Sequence, residues 1–173
     1  MAGGKALPPL VVARVRNGFG LVATRRFERG ERIDEIRGRI VTPARLWRYW
    51  DSDPQRAANC IRFDAEHYLD PRGEIGQFAN HSCDPNAALL REGPRLVLRA
   101  LKICRPGDEI THDYATLLGA DDIWRMRCNC GERRCRGVVS NVASLPAPLF
   151  ARYRKQGLIA AFILATLRDA TSS

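Results

Sequence analysis

The chain has 173 residues, 45% of them hydrophobic, and a formal net charge of +9, enough for one domain with a real core and too little for two generous ones. Met1 to Pro9 carry one lysine and no apolar stretch, so no secretory signal is expected. The longest apolar run, Leu158 to Leu167, is about ten residues, half of what a membrane crossing needs. The reading is an intracellular protein, cytoplasmic if its source is bacterial, with no membrane partner. Lysine occurs only at Lys5, Lys102 and Lys155 and the arginines are scattered, so the charge supports at most a weak nucleic-acid contact.

In chain order, residues 1–9 read as a flexible leader. Leu10 to Val15 is β-branched and runs into Asn17-Gly18-Phe19-Gly20, a turn whose glycines allow positive φ, and Leu21 to Thr24 returns as a second strand, so residues 10–24 form a hairpin. Arg32 to Val41 alternates well enough for one or two strands. Thr42-Pro43 reads as an N-cap followed by proline at the first helical position, opening an inserted helical segment (42–58) through Leu46, Trp47 and Trp50, with Asp51 to Pro54 as its stop. Two short strands around an acidic turn follow at residues 59–70, then strands at Arg95 to Ala100 and Glu109 to Thr111. From Pro146 to Arg168 the period is helical, with Leu149, Phe150, Tyr153, Ile159, Phe162, Ile163 and Leu167 on the apolar face. The fold class is mainly β (α+β), without the βαβ alternation of a parallel sheet.

Two phrases in the middle of the chain concentrate hydrogen-bonding groups beside core-type residues: Asn80-His81-Ser82-Cys83-Asp84-Pro85-Asn86 and Gly107-Asp108-Glu109-Ile110-Thr111-His112-Asp113-Tyr114. Polar groups that close to a core must be paired or used. Downstream, Cys128, Cys130 and Cys135 have the spacing C-x-C-x4-C around a glycine. In an intracellular chain that spacing reads as metal ligands before disulfides, and a structural zinc wants four tetrahedral ligands. Cys83, already in a polar phrase, is the candidate fourth, whereas Cys60 and Cys104 sit in strand-like apolar surroundings as buried thiols.

Taken in order, Asn17 to Gly20, Asn80 to Asn86, Gly107 to Tyr114 and the cysteine cluster resemble the SET-domain protein lysine methyltransferases with a post-SET zinc motif, over roughly residues 10 to 140. The resemblance implies several small β-sheets with a knot-like threaded core over residues 10–119. It also implies a zinc-bound post-SET segment at 120–140, which leaves 141–173 as the C-terminal helical tail read from its periodicity. By the same resemblance S-adenosylmethionine and a lysine from a histone or other basic protein enter from opposite faces. Gly18, Phe19, Gly20, Gln77, Phe78, Asn80 and His81 fall at cofactor-binding positions, Tyr114 is the channel tyrosine beside the methyl donor, and His112 stands two residues before it, where methylation number is decided. The chain departs from the family pattern at His112, where phenylalanine or tyrosine is usual, at Gln77, where arginine is frequent, and at Ile61, where tyrosine is frequent. It also has no cysteine-rich segment ahead of residue 10, as in compact SET proteins of bacterial or viral style. Two other readings stay open: a catalytically silent SET module that binds a lysine-containing partner, and a zinc-stabilised nucleic-acid-binding protein. Asp64, Glu66, Asp70 and Glu74 offer an acidic surface for a basic substrate, or a solvated loop.

Overall fold

In the computed structural model, which describes residues 7–169, β1 (Leu10–Val15) and β2 (Gly18–Ala23) pair antiparallel with Val15 opposite Gly18. Only Arg16 and Asn17 are left to turn, and Gly18 takes φ +100°, where a side chain would be strained. Residues 1–6 of the expected leader lie outside the described residues; Pro9 offers its carbonyl to the Thr24 amide at 3.0 Å.

The expected run over 32–41 divides into β3 (Arg32–Ile36) and β4 (Arg39–Val41). Thr42 caps α1 (Pro43–Ser52), accepting from the Arg45 amide, with proline in its first turn. Asp53 then ends α1 and caps α2 (Pro54–Asn59), so the anticipated stop is a hinge between two helices rather than the end of one. Strands β5 (Ile61–Arg62) and β6 (Tyr68–Asp70) complete a three-stranded sheet with β4, in the order β4-β6-β5.

The first polar phrase begins as β7 (Asn80–His81), after a 3-10 turn at Ile75–Phe78, and continues into β8 (Ala87–Glu92), which pairs with β9 (Arg95–Ala100). β8 was not expected from the sequence, and the reason is physical. Ala87 and Leu89 enter the main core while Ala88 packs into a second cluster, so both faces are buried and no alternation shows. With β3 the order is β3-β9-β8, and the main core between this sheet and the hairpin contains Leu21, Phe27, Leu89, Leu96, Leu98 and Ile110, all nearly inaccessible.

The second phrase is β10 (Thr111–His112), which pairs parallel with β7: Thr111 lies opposite Asn80 and His112 opposite His81. β11 (Met126–Arg127) and β12 (Val138–Val139) close the cysteine segment as a two-stranded ladder. The helical tail is two helices, not one: α3 (Ala147–Lys155) and α4 (Ala161–Asp169). At the break Gly157 has φ +68°, its amide returns to the Arg154 carbonyl and the Leu158 amide to that of Tyr153, the Schellman arrangement that ends a helix on a left-handed glycine. Both helices pack back on the domain through Tyr153, Leu158, Ile159 and Ile163 against Ala88, Ala115 and Val142. The fold is therefore several small β-sheets with few helices. Among the described residues no helix is long and apolar enough to cross a membrane.

Candidate active site and cysteine cluster

The two polar phrases are held together by side-chain bonds as well as by the β7–β10 pairing. Asn86 spans them: its Nδ2 donates to the Glu109 carbonyl at 2.8 Å and its Oδ1 accepts from the Thr111 amide at 2.9 Å. The Ser82 amide donates to the His112 carbonyl at 3.1 Å. Such pairing answers the demand that polar groups next to a core find partners.

Beside this crossing lies a cleft of about 310 Å³ lined by Arg16, Asn17, His81, Ser82, Glu109 and Cys130 among others. The hairpin supplies one wall, the first phrase the floor and the cysteine segment the other wall. Asn80 Nδ2 donates to the Phe19 carbonyl at 2.9 Å and to Glu109 Oε1 at 2.8 Å, tying hairpin and floor together. A Cβ built on Gly20 would stand 2.5 Å from Glu109 Oε1, so the glycine makes room for that carboxylate. Arg16 reaches across to the Asn129 carbonyl at 3.1 Å and packs over Gly131, joining the hairpin turn to the cysteine segment.

Tyr114 lies at the end of the crossing. Its hydroxyl donates to the Ala79 carbonyl at 3.1 Å, and burial, with the Glu109 charge adding, pushes its pKa up to about 12. The ring of His112 packs 4.9 Å from that of Tyr114, and on the other side Trp124 lies 6.1 Å from it. His112 is 4% exposed, and burial, with His81 adding, lowers its pKa to about 4, so the ring is neutral at pH 7. Its Nδ1 is buried with no hydrogen-bond partner among the described residues. His81 is likewise driven neutral, to about 4, chiefly by burial. Its Nδ1 accepts from the Tyr114 amide at 3.2 Å, which leaves Nε2–H directed at Cys83 Sγ, 3.3 Å away.

The structure brings Cys83, Cys128, Cys130 and Cys135 together, their sulfurs all within 4.8 Å of one another. The Cys83 and Cys128 sulfurs are 3.7 Å apart, close to the edge of about 3.8 Å for a tetrahedron with metal–sulfur bonds near 2.3 Å. The amides of Arg136 and Gly137 point at the sulfurs of Cys83 and Cys135, each at 3.4 Å, and His81 adds its N–H. Donors converging on sulfur suit thiolates. Burial pushes the bare Cys83 thiol up to about 11, a cost that a divalent cation among the four would reverse. Cys104 is fully buried and Cys60 half-buried with its thiol pushed to about 12 by burial, both outside the cluster.

Behind the site, Asp113 is 2% exposed and accepts from Arg136 through both guanidinium nitrogens (2.5 and 2.7 Å), from the Tyr153 hydroxyl at 3.1 Å and from the Ala115 amide at 3.1 Å. The Asp113 charge offsets the cost of burying Arg136, whose pKa ends raised, and burial helped by Asp113 raises that of Tyr153. Three segments therefore meet on one carboxylate: the residue before Tyr114, the residue after Cys135, and α3.

Of the residues singled out from the sequence, Asn80, His81, His112 and Tyr114 gather at the crossing, His81 lines the cleft, and Phe19 and Gly20 adjoin it through Asn80 and Glu109, with Gly18 at the turn of the hairpin. Phe78 packs against the main core. Gln77 is not brought there; it lines a separate pocket with Asp53, Arg56, Asp70 and Arg72. The four carboxylates named as an acidic surface do not act together: Asp70 is 3% exposed under Arg56 at 2.5 Å, and Asp64 pairs with His67 and Arg91. Sequence reasoning gave no individual role in the site to Trp124, Glu109, Arg136 or Tyr153. The Asp121-Asp122 pair before Trp124, pinned by the buried Arg62 at 2.7 and 3.0 Å, was the available signal for the first.

Comparison with known proteins gives these positions a context. The SET domain family profile matches residues 18–115, more than half of the chain. The chain is 31% identical over 137 residues to "Histone-lysine N-methyltransferase TRX1" of Oryza sativa subsp. japonica, covering 73% of this chain and 13% of that protein. It is 32% identical over 130 residues to "Histone-lysine N-methyltransferase, H3 lysine-4 specific" of Cryptococcus neoformans var. neoformans, covering 69% and 9%. With "Histone-lysine N-methyltransferase trithorax" of Drosophila virilis it shares 30% over 131 residues, covering 69% and 3%. This chain thus spans at most 13% of the length of these relatives. Among solved structures, the methyltransferase domain of human Histone-lysine N-methyltransferase SETMAR superposes with a TM-score of 0.60 at 26% identity, covering 73% of this chain and 55% of that one.

Proposed function

Because the chain belongs to the SET domain family, we propose that it is an S-adenosylmethionine-dependent protein-lysine N-methyltransferase acting on a histone or another basic protein inside the cell. The observation that carries the reading is the neutral hydroxyl of the half-buried Tyr114 on the Ala79 carbonyl, at the crossing of β7 and β10, where His81 lines a cleft of about 310 Å³. In this reading the cofactor lies against the hairpin turn at Gly18 to Gly20, Asn80 and the His81 backbone, beside the polar walls of the cleft, with Gln77 and Phe78 set back from it.

S-adenosylmethionine, when bound, supplies an electrophilic methyl group on a sulfonium. The chain's own part is to present a neutral amine to it, since a free lysine with pKa about 10.4 is almost wholly charged at neutral pH. Tyr114 stays protonated, so its hydroxyl orients the amine rather than removing its proton. His112, with a pKa lowered to about 4, is equally unsuited as a base at pH 7. Deprotonation then rests on the desolvating surroundings of Tyr114, His112 and Trp124, and catalysis on alignment. The buried, unpaired Nδ1 of His112, two residues before Tyr114, supports a bearing of this ring on the number of methyl groups added. In the same reading the segment 120–140 is the post-SET module and Cys83, Cys128, Cys130 and Cys135 hold a structural zinc; the convergence of four sulfurs and three N–H donors supports it.

The test is transfer of labelled methyl from S-adenosylmethionine to a panel of histones and a cell lysate, with Tyr114→Phe alongside. Label on lysine that falls on the order of a hundredfold in the variant is expected. Cofactor binding without transfer to any protein would leave the silent binding module, and salt-sensitive DNA binding without cofactor binding would leave the nucleic-acid-binding reading.

A further inference from the structure

We propose that Glu109 is the residue that makes the cleft prefer the cationic methyl donor to its neutral thioether product. The inference rests on the cofactor reading above and goes beyond it by naming a source of selectivity. Glu109 lines the cleft and is half-buried there. Its carboxylate is held in place twice: Oε1 accepts from Asn80 Nδ2 at 2.8 Å, and the missing side chain of Gly20 leaves the space it occupies. Yet among the described residues it has no cationic partner.

Of the other charges around the cleft, only Lys102 and Asp84 neutralise each other, and the remaining two are held by neutral groups on the cysteine-segment side. Lys102 pairs with Asp84 at 2.8 Å, Arg16 donates to the Asn129 carbonyl at 3.1 Å, and Glu132 accepts from Ser82 Oγ at 3.1 Å. A carboxylate withdrawn partly from water and left without a counter-charge is costly unless something positive joins it. The ligand expected in this cleft is a sulfonium before methyl transfer and an uncharged thioether after it. Glu109 shares the cleft with His81, whose Nδ1 accepts from the Tyr114 amide at 3.2 Å, and its charge adds to the burial that raises the Tyr114 hydroxyl's pKa. The α-ammonium is common to both ligands, so the carboxylate distinguishes them only by the sulfonium charge, and that part of its attraction is lost once the methyl has left.

Glu109→Gln separates this role from a merely structural one, because the amide oxygen still accepts from Asn80 and only the charge is lost. The measurement is calorimetric binding of S-adenosylmethionine and S-adenosylhomocysteine to the wild-type chain, Glu109→Gln and Glu109→Asp. The wild type should favour the sulfonium, the Gln variant should lose on the order of tenfold of that preference, and the Asp variant should keep most of it. Equal weakening of both ligands in the Gln variant, or an unchanged ratio, would overturn the proposal and leave Glu109 as a support for Asn80. If the wild type binds neither ligand, the cofactor reading itself falls and takes this inference with it.

Discussion

Two buried imidazoles, His81 and His112, weigh on the acid limit of the fold, and His112 can be removed without touching the cysteine cluster. His112 titrates near 6.5 when exposed and near 4 when folded, since burial disfavours its charged form. The unfolded chain therefore takes up a proton in this interval that the native chain refuses, so stability is complete above about pH 6.5 and falls between about 6.5 and 4. A shift of that size corresponds to on the order of 3 kcal/mol at the acid end. His112→Phe keeps an aromatic ring against Tyr114 and removes both the proton and the unpaired Nδ1, so its melting temperature should be flatter over this range than that of the wild type. A parallel fall in both proteins would mean that other groups govern the acid limit.

Among the elements, α3 takes part in the site by way of Asp113. Arg136→Met strips this carboxylate of its buried partner and should cost about 3–5 kcal/mol in urea unfolding. Tyr153→Phe removes one hydrogen bond and should cost about 1 kcal/mol. The larger loss should fall on the arginine; equal losses would mean that Asp113 is solvated more than its 2% exposure suggests. None of this network was legible beforehand, because an Asp, an Arg and a Tyr that are 23 and 40 residues apart carry no local pattern. The hairpin, the capped α1 and the cysteine spacing were legible, since each depends on residues within one turn or one loop. The inner strand β8 hid for the opposite reason: with apolar neighbours on both faces it lost its two-residue rhythm. The helical tail was read as continuous because its apolar period runs on through Gly157, whose left-handed backbone breaks it. Gln77 as a cofactor contact follows from the family resemblance alone, and the 3-10 turn that carries it lines a separate pocket with Arg56 and Arg72.

For the molecule as a whole, the cysteine cluster is where distant parts of the chain are fastened. Cys83 comes from the first polar phrase and its three companions from a segment more than forty residues later. We expect elemental analysis of purified protein to find about one zinc per chain, and chelation to lower the melting temperature and weaken cofactor binding together, because Cys130 and Arg16 border the cleft. Stability unaffected by chelation would count against a structural metal. The packing of Ala88 and Ala115 beneath Leu145, Leu158, Ile159 and Ile163 has a practical corollary for anyone expressing the protein. The family profile stops at residue 115, but a fragment cut there would present an uncovered oily face and a lone buried carboxylate at Asp113, and would be recovered from cells as insoluble aggregate rather than as a minimal soluble enzyme.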